Sequence, residues 1–127
     1  MISYVTLGSN DRTKAKSFFD AALAPLGLQA AYADDEMVGY GPAGGPSQLW
    51  IVEPLDGLDA HPGNGNMLAL AASTRGQVDQ VHAAALAAGG RDEGRPGLRE
   101  QYGPHFYAAY FRDLDGHKIA VICRSPE

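Results

Sequence analysis

Four histidines, His61, His82, His105 and His117, are the side chains best suited to proton transfer or metal binding near neutral pH. No two of them stand at the short spacing that gathers ligands on one helical turn. His105 precedes a predicted strand, where it reads either as a general base or substrate donor, or as a solvated strand-end residue. His117 lies beside a turn and reads as exposed, His82 as a packing residue on a helix, and His61, next to Pro62, as a loop residue. Cys123 is alone, so no intrachain disulfide can form, and without a nearby histidine it reads as apolar strand filling. Arg95, Arg99 and Glu100 occupy a loop before Tyr102, where Arg99 can either grip an anion or remain solvated.

Two apparent motifs dissolve on inspection. Gly39-Tyr40-Gly41-Pro42-Ala43-Gly44 satisfies G-x-G-x-x-G, but a dinucleotide fingerprint needs a helix to start there. Pro42, Gly45 and Pro46 forbid that helix. Asp113-Leu114-Asp115-Gly116 lacks the later oxygen ligands and closing glutamate of a calcium loop, and reads as a hairpin turn.

The elements that must position these groups come in two copies. At an offset of 63 residues Tyr4 falls on Met67, Asp11 on Thr74, Ala15 on Val78, Phe18 on Val81, Ala22 on Ala85, and Gly27 on Gly90. Each copy has an apolar strand, a polar cap, an amphipathic helix and a glycine stop. In the first copy, strands are predicted at 2–8, 28–33, 37–41 and 47–53, with Asn10 or Asp11 capping the helix between. In the second, a strand at 66–72 and a helix over 75–88 precede a weak strand at 91–94 and a loop from 95 to 102. A hairpin of 106–112 with 117–124 closes the chain. If Arg112 pairs with His117, Ala109 faces Ala120 and Tyr107 faces Ile122, but a one-residue slip would reverse every side chain. The expected architecture is α+β: two tandem βαβββ modules in a single domain spanning 1–127. Module 1 covers about 1–54, the join about 55–65 and module 2 about 66–127, with helices outside curved sheets and a cavity within.

A net charge of −5 gives no electrostatic reason to expect nucleic acid or an anionic membrane as partner. No apolar run approaches the ~18 residues that span a bilayer. The first residues lack the basic and apolar regions of a signal peptide, so a cytoplasmic location is expected.

Tyr4-Val5-Thr6-Leu7-Gly8, the segment 18–27, and Tyr107-Ala108-Ala109-Tyr110-Phe111-Arg112-Asp113-Leu114-Asp115-Gly116-His117 resemble the vicinal oxygen chelate superfamily. That family includes glyoxalase I, extradiol dioxygenases, and fosfomycin- and bleomycin-resistance proteins. Leu114 departs from the family's usual Asp-Pro-Asp-Gly turn. The resemblance implies metal ligands at the first and last strands of each module. Here those positions are Tyr4, Met67, Ala120, and either Gln48 or Trp50. A phenol, a thioether and a methyl do not supply the donors a divalent ion needs, so no metal and no other cofactor is expected.

The ligand-binding candidates are therefore Tyr4, Gln48, Trp50, Met67, Arg99, Tyr102, His105, Tyr107 and Ala120, with Thr6 and Ile122 beside them. A mostly apolar wall with a few polar handles suits a small aromatic or amphipathic molecule. The expectation is a metal-free protein similar to the bleomycin-resistance branch, acting as a homodimer. Side chains that simply fill the hollow are the opposing reading. The alternatives are a metal-dependent lyase, isomerase or dioxygenase, or a metal-free enzyme using Tyr4, Tyr107 or His105 as acid or base.

Overall fold

Asp11 and Thr74 start the two helices by the same device. In the computed structural model, which describes all 127 residues, the Asp11 carboxylate accepts the Lys14 N–H at 3.0 Å. Thr74 Oγ1 accepts the Gln77 N–H at 3.1 Å, while the Gln77 side chain accepts the Thr74 N–H to complete a capping box. Helix α1 then runs over Arg12–Leu23 and α2 over Arg75–Ala87. Asn10, the other cap candidate, instead exchanges hydrogen bonds with the backbone of Ala60 and so pins the join to the first half.

The strands repeat as well. In the first half, β1 (Val5–Gly8), β2 (Leu28–Ala33), β3 (Met37–Pro42) and β4 (Leu49–Val52) form a sheet of order β1-β4-β3-β2. In the second, β5 (Leu68–Ala71), β6 (Arg91–Leu98), β7 (Tyr107–Arg112) and β8 (Lys118–Cys123) give β5-β8-β7-β6. The first strand of each sheet pairs in parallel with the last, across a helical crossover, and the other pairs are antiparallel. This is an α+β architecture of two βαβββ units with an open, curved inner face.

The helices cover one face of each sheet, and a single cluster of buried side chains spans both halves. Ala15, Phe18, Phe19, Ala22 and Leu23 of α1 meet Val78, Val81 and Ala85 of α2. Val38, Tyr40, Leu49 and Ile51 close the first half; Ala109, Phe111, Ile119, Val121 and Cys123 close the second. Phe18 stands at the seam, with its ring centroid 5.0 Å from Phe19 and 6.2 Å from Phe111. Between the halves, the Asn10 N–H donates to Asp115 at 2.8 Å. His117 Nε2 lies 2.7 Å from the Gly8 carbonyl. A carbonyl only accepts, so Nε2 carries the hydrogen there. His117 is accordingly half-buried and tied to β1, not exposed as its turn position suggests.

Two expectations about the strands of the second half need correction. The β7–β8 register is one residue later than expected: Arg112 pairs with Lys118, Tyr110 with Ala120, Ala108 with Ile122 and Tyr107 with Cys123. The turn has three residues beyond Asp113 rather than a four-residue loop. Its Gly116 has φ +88°, and the Asp113 carboxylate accepts the N–H groups of Asp115 and His117. A left-handed glycine at the end of a three-residue loop is a common way to join twisted strands. The second correction concerns β6, which continues through Leu98 where a loop was expected. Register shifts at Gly94 and Gly97 accommodate Pro96 in this edge strand.

Candidate functional site

Strand alternation decides what the inner face carries. On β8, Ile119, Val121 and Cys123 point into the helix-covered core, leaving Lys118, Ala120 and Ile122 on the inner face. Across from them on β7 stand Ala108 and Tyr110. In the first half, Leu49 and Ile51 face the core, so Thr6, Trp50 and Val52 turn inward.

The equivalent places trade size for size. Trp50 pairs with Gly39, and a Cβ on that glycine would lie 2.7 Å from the indole ring. In the second half the large residue sits on the other strand, Tyr110 beside Ala120, and its ring lies across Gly94 at a similar separation. Glycine is required at both crossing points because any side chain would displace an aromatic ring.

A hollow of about 960 Å³ opens under the second sheet. Met67, Phe106, Tyr102, Tyr110 and Ile122 supply its apolar and aromatic surface; Arg99, Lys118, Arg124, Glu93 and Gln101 supply its polar surface. The Arg99 guanidinium is fixed by donating to the carbonyls of Gly97 at 2.8 Å and Arg95 at 2.7 Å. It lies 5.5 Å from the Tyr110 ring centroid, and Lys118 Nζ lies 5.6 Å from the same centroid. Arg124 lies 5.4 Å from the centre of Phe106. Glu93 is the one acid in this wall. The Arg112 guanidinium at 2.9 Å holds its carboxyl below the usual carboxylate range, with Arg91 adding to the effect.

A second hollow, of about 1030 Å³, lies under the first sheet and has the opposite sign. Tyr4, Thr6, Met37 and Val52 line it with Glu36, Glu53, Asp56 and Asp59.

The nine sequence-predicted residues are therefore divided. Met67, Arg99 and Tyr102 meet in the basic hollow, and Tyr4 lines the acidic one. Ala120 is buried on the inner face between Ala69 and Tyr110. Trp50 packs against Tyr32, with ring centroids 5.9 Å apart at a 57° tilt. Gln48 is exposed at the β3–β4 turn, where its backbone bonds Tyr40 and Val5, and His105 is exposed beside the Glu100–Tyr102 turn. None of these last three lines either hollow. Tyr107 is a correction: it faces the helices, its hydroxyl donates to Asp79 of α2 at 2.6 Å, and Arg75 covers its ring. The bond to Asp79 raises the phenol above its ordinary range, further from service as a base.

The residues that sequence reasoning missed are Tyr110, Lys118, Phe106 and Arg124. The period-two pattern Lys118-Ala120-Ile122 carried the signal for Lys118, since Ala120 and Ile122 already read as inner-face residues, whereas Tyr110 becomes visible only once the hairpin register is known. Nor does the donor set suit a divalent ion: no three His, Cys, Asp or Glu side chains converge anywhere in the chain. His82, the most buried histidine, is engaged with Asp92 at 3.0 Å.

No family model and no curated protein matches the chain. Solved structures do. A glyoxalase/bleomycin resistance protein from Albidiferax ferrireducens T118 is 38% identical over 97% of this chain and 98% of its own, with a TM-score of 0.86. A glyoxalase-related enzyme from Fulvimarina pelagi superposes at TM-score 0.74 with 21% identity, over 97% of this chain and 87% of its own. The fosfomycin resistance protein FosX from Listeria monocytogenes does so at 0.71 with 21% identity, over 98% and 93%. These last two show a shared fold. The duplicated βαβββ topology and the near-complete overlap at 38% identity establish that the chain belongs to the glyoxalase/bleomycin resistance protein family of the vicinal oxygen chelate superfamily.

Proposed function

We propose that the protein binds a small aromatic or amphipathic molecule in the hollow under its second sheet, without a resident metal. The carrying observation is the wall itself: Tyr102, Phe106, Tyr110, Met67 and Ile122 form an aromatic and apolar surface beside fixed polar groups. Such a surface orients a planar ligand through its few polar contacts and stabilises it through the rings. The metal site of the superfamily is degenerate in this reading. Tyr4, Met67 and Ala120 stand at the ligand positions that the resemblance implies, and their side chains do not form a donor set for a divalent ion.

The protein acts as a homodimer in the cytoplasm. Supporting this, Tyr4 and Met67 remain 57% and 46% exposed on an inner face that no element of the same chain covers.

Thermal-shift titration of metal-stripped protein with a panel of aromatic metabolites and antibiotics tests the reading. Saturable stabilisation by at least one aromatic compound is expected. A flat response across the panel, or a stoichiometric divalent metal in freshly purified protein, would overturn it. Light scattering should give twice the 13.4 kDa chain mass.

A further inference from the structure

The charge of the second hollow runs against that of the molecule. The chain carries a net −5, yet this wall brings together Arg99, Lys118 and Arg124 against a single acid, Glu93. That acid is already engaged by Arg112 and Arg91. None of the three cations forms a salt bridge: the ion pairs of the chain are Lys16–Asp20, His82–Asp92 and the two involving Glu93. Arg99 is also pre-aimed, because the carbonyls of Gly97 and Arg95 hold its guanidinium in place while leaving its charge uncompensated. Instead of carboxylates, the cations have aromatic neighbours: Tyr110 for Arg99 and Lys118, Phe106 for Arg124.

Positive groups held beside ring faces, outnumbering the one acid, Glu93, whose ion pairs are made with Arg112 and Arg91, form a surface with two complementary demands. The cations call for an anion, and a confined cleft of one sign raises the local concentration of the opposite one. The rings call for a flat apolar body, for which Tyr102 and Phe106, 5.3 Å apart at a 59° tilt, provide a corner.

Building on the aromatic-ligand reading above, we propose that the ligand class is a small planar aromatic molecule bearing an anionic group. The anion sits among Arg99, Lys118 and Arg124, and the ring lies against Tyr102, Phe106 and Tyr110. The opposite hollow, with Glu36, Glu53, Asp56 and Asp59, repels the same ligand, which therefore occupies one end of the inner face.

A matched series tests the charge separately from the ring: 2-naphthoate, 2-naphthol and 2-naphthylmethylamine, titrated near neutral pH by saturation-transfer NMR. Naphthoate should bind at least about tenfold more tightly than naphthol, a step of ~1.4 kcal/mol, and the amine most weakly. Raising the salt should weaken naphthoate binding and leave naphthol binding unchanged, because the cations are partly solvated. In a Lys118→Gln/Arg124→Gln variant, naphthoate should lose most of its advantage over naphthol, while an unchanged circular dichroism spectrum and melting temperature report an intact fold. If naphthol or the amine binds as tightly as naphthoate, or the double variant holds naphthoate unchanged, the anion assignment falls and the aromatic-ligand reading survives. If no member of the series binds, both fall together.

Discussion

Replacing Phe18 with alanine tests whether one core holds both inner faces in place. Phe18 is 1% exposed and touches Phe19 of its own helix and Phe111 of the second half. Its ring also packs 3.0 Å from where a Cβ on Gly90 would lie. A buried phenylalanine removes ~150–250 Å² from water. Truncation loses that transfer energy, adds a cavity and strips two aromatic neighbours of a partner, together about 4 kcal/mol. For a chain of this length the unfolding entropy is on the order of 0.27 kcal/mol/K, so the melting temperature should drop by roughly 15 °C. Urea unfolding followed by both circular dichroism and fluorescence provides the assay. Trp50, the single tryptophan, reports the first sheet, whereas circular dichroism reports both halves. The two curves should coincide and shift together, since α1, α2 and both sheets contribute to one cluster. A loss under ~1.5 kcal/mol, well below the usual range for such truncations, would refute the packing argument. Separate transitions for the two probes would refute the shared core.

Three further outcomes are expected. Gly39→Ala should cost about 1–3 kcal/mol by overpacking and shift the fluorescence of Trp50, since the new methyl meets the indole at 2.7 Å; unchanged emission and stability would show that the ring does not lie there. Tyr110→Ala should reduce affinity for aromatic ligands about tenfold, whereas Tyr107→Phe should leave it unchanged; the reverse pattern would restore the earlier hairpin register. Burial pushes the Asp113 carboxyl above the usual carboxylate range, with neighbouring His117 opposing. A raised folded value favours the protonated form, so its stabilising contribution is full below the unfolded carboxyl value, near ~3.9, and is lost as pH rises through the folded value. Asp113→Asn keeps an oxygen to accept the Asp115 and His117 N–H groups. It should therefore melt higher than the parent at neutral pH, with the gap closing as the pH is lowered toward the unfolded value. A constant gap, or a lower melting point at neutral pH, would contradict this.

The helices were legible because their signals are local. Asp11 and Thr74 cap within three residues, and the apolar stripe through Ala15, Phe18, Ala22 and Leu23 recurs at Val78, Val81 and Ala85. The strand starts at Val5 and Leu68 keep the 63-residue offset, as do those at Leu28 and Arg91. Beyond that the copies diverge. Met37 begins β3 and Tyr107 begins β7, an offset of 70, because the second half inserts the segment that carries Arg99 and Tyr102. That insertion forms one wall of the basic hollow, so the best repeat signal stops where the candidate site begins.

Sequence alone determined the class of fold, the duplicated module, the helix-facing core and the family resemblance, since periodicity and capping act over a few residues. Tertiary structure alone decided which side chains share a hollow. A three-residue turn ending at Gly116 sets Tyr110, not Tyr107, beside Lys118 and Ile122. A strand has period two, so this one-residue difference in pairing exchanges the inner and outer faces; the Asp113 carboxylate, accepting the His117 N–H within the turn, and the His117 ring, donating to the distant Gly8 carbonyl, select between them.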